Sequence, residues 1–152
     1  MKLNFYLRLC THFLVAVIFA FVLASLIHSQ LVMAELSQLG VKILFKDRLS
    51  MSLDDLLGLY PTYGVVIAAS FLIAFVVAKQ LIKRFKLSPN LIYGLAGGVS
   101  ISVALLAMHP ILDISLLAST RSTFGFICQS LCGAIGGGVF AYLRKQNHNI
   151  SQ

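Results

Sequence analysis

Apolar residues in this chain gather into four long runs, parted by stretches that carry most of the chain's charges. The runs cover residues 11–33, 62–82, 91–109 and 122–143. At 1.5 Å of rise per helical residue, each comes to about 30 Å, the thickness of a bilayer's hydrocarbon core. Lipid offers no partner to a stray backbone amide or carbonyl, so each run is expected to be helical. The pattern predicts an all-α membrane protein: one domain over residues 1–152, a four-transmembrane-helix bundle with a short outer interfacial segment between helices 1 and 2. A cleavable leader is the rival reading of the first run, because Lys2 and Arg8 precede it and Val32-Met33-Ala34 resembles a small-residue cleavage site. The run is longer than the apolar region of a usual leader, which favours an uncleaved span.

The run ends carry the expected punctuation. Pro61 precedes the second, Ser88 and Pro89 open the third, His109-Pro110 stops it, and Ser119 and Thr120 are cap candidates for the fourth. All five tyrosines (Tyr6, Tyr60, Tyr63, Tyr93 and Tyr142) fall near run ends, where an amphipathic ring gains from the head-group region.

The outer loop, residues 34–61, is the only sizeable piece outside the runs. Ser52-Leu53-Asp54-Asp55 ahead of Leu56 and Leu57 resembles a capping box opening a short interfacial helix. Upstream, apolar and polar residues alternate through Val41, Ile43 and Phe45, then Leu49, Met51 and Leu53, which fits a small surface hairpin. Continuation of the first helix is the competing expectation.

Composition supports the membrane reading. Only 11% of residues are charged, too few to cover a water-soluble surface, and the mean hydropathy is +0.91. The net charge of +7 does not form a nucleic-acid patch, because the cations sit at run ends. It reports sidedness instead. Lys2, Arg8, Lys79, Lys83, Arg84, Lys86, Arg144 and Lys145 fall on one side with no acid. The other side has Lys42, Lys46, Arg48 and Arg121 against Glu35, Asp47, Asp54, Asp55 and Asp113. The positive-inside rule then predicts cytoplasmic N- and C-termini, and the short tails suit a bacterial inner membrane.

Small residues recur four apart inside the runs: Ala16, Ala20 and Ala24; Ser70, Ala74 and Ala78; Gly94, Gly98 and Ser102; and Gly125, Gly133, Gly137 and Ala141, with Gln129 in the gap. Such stripes let helix backbones approach closely, and in lipid that packing drives association. Gly94, Gly98, Gly125, Gln129, Gly133 and Gly137 are therefore the candidate helix-packing residues. Gly136 beside Gly137 and Gly138 suggests a second glycine face on the fourth span, suited to another copy or a partner subunit.

Ionisable residues avoid the span centres, which argues against a proton pump or a charged ion filter. Polar residues collect at the outer ends: His28, Gln30, His109, Asp113 and Arg121 form a candidate outer cluster. Two histidines and a carboxylate can bind zinc, but no metal-ligand spacing supports it, and interfacial capping is the plainer reading. Cys10, Cys128 and Cys132 form no disulfide framework or CxxC motif. Phosphate-loop, dinucleotide and nucleophile-elbow patterns are absent from the sequence. No cofactor is expected, and the expected partners are the lipid bilayer and a membrane protein or second copy, not nucleic acid. The expected role is a non-enzymatic accessory or assembly subunit, or a homo-oligomer, acting through helix packing with span four as the contact helix. A small-solute or lipid transporter component is the alternative, with a path past Gln129. A membrane enzyme would require His28, His109 and Asp113 to meet.

Overall fold

The structure is a computed structural model that describes the backbone of residues 2–40, 44–112 and 122–150, and the side chains of residues 7–40, 44–107 and 122–146. Among the described residues five α-helices follow in order: α1 (Lys2–Gln38), α2 (Phe45–Leu59), α3 (Val65–Phe85), α4 (Pro89–Leu112) and α5 (Thr123–Ile150). One π-helical turn, Tyr60–Gly64, joins α2 to α3 without a break. Among the described residues four stretches are long and apolar enough to cross a membrane: residues 7–38, 45–85, 89–107 and 123–146. The protein is thus a four-span helical membrane bundle. Its helices alternate in direction, because Phe13 meets Phe75 and Phe21 meets Tyr63, while Tyr93 meets Arg144 and Ser102 meets Ser130.

Large aliphatic side chains point outward, among them Leu14, Ile18, Leu72, Ile73, Leu95, Leu106 and Leu131. Small and aromatic residues fill the interior: Ala16, Ala20 and Ala24 on α1, Phe71 and Phe75 on α3, Tyr93 on α4 and Phe140 on α5. Lipid is as apolar as leucine, so burying leucine between helices gains little, whereas small residues admit close contact and rings fill the gaps. The Phe75 and Phe140 rings stack with centroids 4.5 Å apart, and Tyr93 packs edge-on against both.

Three expectations are corrected. The outer segment is not a hairpin: α1 continues to Gln38, where Gly40 at φ +85° turns the chain, and residues 45–59 are helical. Val41, Lys42 and Ile43 lie outside the described residues. The apparent alternation is part of a helical stripe, Phe45, Leu49, Leu53 and Leu57 at intervals of four. Ser52 is not a cap but lies inside α2, where its hydroxyl donates to the Arg48 carbonyl. The helix opens earlier, with Asp47 accepting the Leu44 N–H at 3.1 Å. Nor does His109-Pro110 end α4, whose backbone stays helical to Leu112. The cap of α5 is Ser122, whose hydroxyl accepts the Gly125 N–H, and Ser119 and Thr120 lie outside the described residues.

Pro61 explains the π turn. Proline brings no N–H and its ring clashes with the carbonyl four residues back in an α-helix. A π turn widens the coil there, so the 41 residues from Phe45 to Phe85 run on as one rod of about 60 Å. The 37 residues of α1 come to about 55 Å. Both exceed a ~30 Å hydrocarbon core. Their excess lies at the end of the bundle away from the termini, where α2 packs chiefly on α1. The result is a two-helix arm. Its Lys46, Asp47, Arg48, Asp54 and Asp55 place it outside the hydrocarbon, where such charges are hydrated.

Candidate functional site

Among the described residues, the closest helix approach is the seam between α4 and α5. A Cβ on Gly133 would lie 2.5 Å from the Gly97 carbonyl oxygen and 2.8 Å from Ile101 Cδ1. A Cβ on Gly97 would strike the Gly133 carbonyl, and one on Gly137 would strike the Tyr93 carbonyl. Gly94 and Gly98 have more room: a Cβ there would stand 3.5 Å from the Ala134 carbonyl and 3.2 Å from the Ser130 carbonyl respectively. Gly125 is buried near the start of α5. Sequence spacing therefore picks out the α5 glycines but misses Gly97, which lies on a Tyr93–Gly97–Ile101 row that is not uniformly small. Ser102 and Ser130 close the seam with a hydroxyl–hydroxyl contact of 2.7 Å.

The neighbouring glycines serve different sides of the same helix. A Cβ on Gly136 would meet Ala20 Cβ at 2.7 Å and the Phe71 ring at 3.1 Å, so Gly136 admits α1 and α3. Gly137 admits α4, and Gly138 has nothing within 4 Å. Of the three glycines, Gly138 alone faces outward. The glycine face suggested by sequence is thus filled largely by the chain's own helices.

Gln129 ties three helices together. Fully buried in α5, it donates from Nε2 to the Ala24 carbonyl of α1 at 3.0 Å and accepts the Tyr63 hydroxyl at 3.1 Å on Oε1. Both ends of the amide are used, as burial demands. Beyond Ala24 on α1, Ser25 and Ser29 continue a polar row. The Ser25 hydroxyl is buried and has no partner among the described residues. The Ser29 hydroxyl lies 2.7 Å from Asp55 Oδ2 and 3.0 Å from the Ser25 carbonyl. With one proton to give, it favours the charged acceptor. Arg48 Nη1 donates to Gln30 Oε1 at 3.1 Å, a second link between α1 and α2.

Of the candidate outer cluster, His28 and Gln30 have described side chains. His28 is buried on α1 and Gln30 is bound to Arg48. The His109 side chain, Asp113 and Arg121 lie outside the described residues. From α2, Asp55 and Arg48 bond to Ser29 and Gln30 of α1.

At the opposite end, where the termini lie, the Arg144 guanidinium donates to the Tyr93 hydroxyl and sits 5.6 Å from that ring's centroid. Tyr63 and Tyr93 are accordingly turned into the bundle, whereas Tyr60 and Tyr142 are exposed as interfacial rings would be. A cleft of about 540 Å³ opens beside Arg144, walled by Ser88, Asn90, Tyr93 and Lys145. A second cavity, about 530 Å³, is an apolar groove between α3 and α4. Among the described residues no three His, Cys, Asp or Glu side chains are grouped to hold a metal ion.

Compared with models of protein families, with curated proteins and with solved structures, the chain matches none.

Proposed function

We propose that this protein is a non-enzymatic accessory subunit of a membrane assembly, seated in a bacterial inner membrane with both termini cytoplasmic. The observation that carries the reading is the apolar strip on the arm. Phe45, Leu49, Leu53 and Leu57 form one row on α2, with Phe45 81% and Leu57 76% exposed, on an element too charged to lie in hydrocarbon. Such a row outside lipid needs cover, and spacing by four suits a helix laid against it. Its flanks bear Lys46 and Arg48 against Asp47, Asp54 and Asp55. That balance offers nothing special to an anionic lipid surface and favours a protein helix. The bundle meanwhile spends Gly133, Gly136 and Gly137 on its own helices, which supports moving the contact from span four to the arm.

The test is a photo-crosslinking residue in place of Leu53, activated in native membranes. A discrete adduct with one other polypeptide is expected, lost when Leu49 and Leu57 are changed to Ser. Adducts with lipid alone would refute the assignment, and an adduct of twice the chain's mass would convert the accessory subunit into a homo-oligomer.

A lipid or small-solute transporter component is the second reading, favoured by the groove between α3 and α4. It predicts liposome flux that falls when the groove is filled by Ala96→Phe.

A further inference from the structure

We propose that the α3–α4 face binds one anionic phospholipid, its phosphate in the cleft beside Arg144 and Lys145 and an acyl chain along the neighbouring groove. The groove is floored by small or buried residues, Ala74, Ala78, Ala96 and Ser100, between outward-pointing rows that include Val77 and Leu95. Along α3 it runs from Ser70 to Leu81, about 16 Å at helical rise. That is roughly half the ~30 Å hydrocarbon thickness, the depth of one leaflet. A groove open to the bilayer at that depth is filled by an acyl chain, and its length matches one lipid of the leaflet at its basic end.

The head-group side is set by charge. Leu81 and Ile92 line the groove near that end, each one residue from Ile82 and Tyr93 in the wall of the cleft. Arg144 and Lys145 supply two cations to the cleft, and Ser88 and Asn90 add neutral polar groups. The cation–π contact and hydrogen bond to Tyr93 hold the guanidinium in place while using one of its five donors. Lys79, Lys83, Arg84 and Lys86 surround the same end, and this part of the chain carries no acid. A phosphate is the complement of such a site, and the apolar groove beside it selects a lipid over a free anion.

The experiment uses the full chain, purified in mild detergent and delipidated. Phosphatidylglycerol, phosphatidylcholine and inorganic phosphate are added separately, and binding is read by native mass spectrometry and by the thermal midpoint. One phosphatidylglycerol per chain is expected, bound at least tenfold more tightly than phosphatidylcholine, with no response to phosphate. Lys145→Gln should erode that preference severalfold, and Arg144→Gln with Lys145→Gln should abolish it. Ala96→Phe, which fills the groove, should weaken both lipids alike. Lys83→Gln with Lys86→Gln, outside the cleft, should leave the preference within twofold. The proposal fails if this outer pair matters as much as the cleft pair, because binding is then diffuse. It fails equally if phosphate alone stabilises the protein, if Ala96→Phe binds like wild type, or if Lys145→Gln retains the full preference.

Discussion

Gly97 and Gly133 lie backbone to backbone across the α4–α5 seam, and a Cβ added to Gly133 would meet the Gly97 carbonyl oxygen at 2.5 Å. The obstacle is main chain, which cannot rotate away as a side chain can. Gly133→Ala should therefore lower stability by about 1–3 kcal/mol or more, the usual cost of overpacking. Gly138→Ala adds a methyl where nothing lies within 4 Å and should change stability by less than about 1 kcal/mol, in the stabilising direction that helix propensity favours. Unfolding midpoints of the two variants in detergent micelles check this. Equal midpoints would contradict the seam.

The Gln129 amide offers a measurement of coupling. Tyr63→Phe removes the donor and leaves Oε1 buried without it, so a loss of about 1–2 kcal/mol is expected. Gln129→Leu removes both links. A double-mutant cycle on the two should give a coupling of about 0.6 kcal/mol, rising to roughly 1.7 kcal/mol at most, the range of hydrogen bonds between helices in membranes. A coupling of zero would mean that the two groups do not meet in the bundle.

Ser29–Asp55 and Gln30–Arg48 fasten the arm. Asp55→Ala should loosen α2 without opening the bundle, raising hydrogen exchange over residues 45–59 about tenfold while residues 123–146 keep their protection. Exchange that rises uniformly, or not at all, would show that these contacts do not set the arm's stability.

The orientation is tested by reporter fusions after Gln152 and within the residues 39–44 that join α1 to α2. The eight cations without an acid on the terminal side predict a cytoplasmic reporter at the first site and an external one at the second. An external C-terminus would reverse the assignment.

The spans are legible in the sequence because a bilayer imposes one requirement on every crossing segment, an unbroken apolar run, and that requirement needs no tertiary information. Helix ends are less so. Pro110 reads as a stop, yet α4 passes through it, as membrane helices tolerate proline. The arm is less legible: its upstream alternation suggests a hairpin and its Ser52 a cap for a short interfacial helix, although Phe45, Leu49, Leu53 and Leu57 carry a helical period through the same stretch. Gln129 stands out as the lone deep amide, but its partners come from α1 and the π turn, and no local pattern announces Ala24 or Tyr63. Gly97 was missed because the row it occupies includes a tyrosine and an isoleucine.

The π turn at Tyr60–Gly64 sets the phase between arm and bundle. A π turn takes up one residue more than an α turn, and one residue is worth about 100° of rotation. The face that α2 presents to α1 is thus decoupled from the face that α3 presents to the core. If an ordinary α-helix ran through this turn with every residue kept, as replacing Pro61 by alanine would permit, the arm would swing by about 100°, more than a quarter of a circle. Asp55 would then turn away from Ser29, and the strip from Phe45 to Leu57 would point elsewhere. The hydrogen-bond register of a single turn is enough here to re-aim an entire surface while every span stays in place.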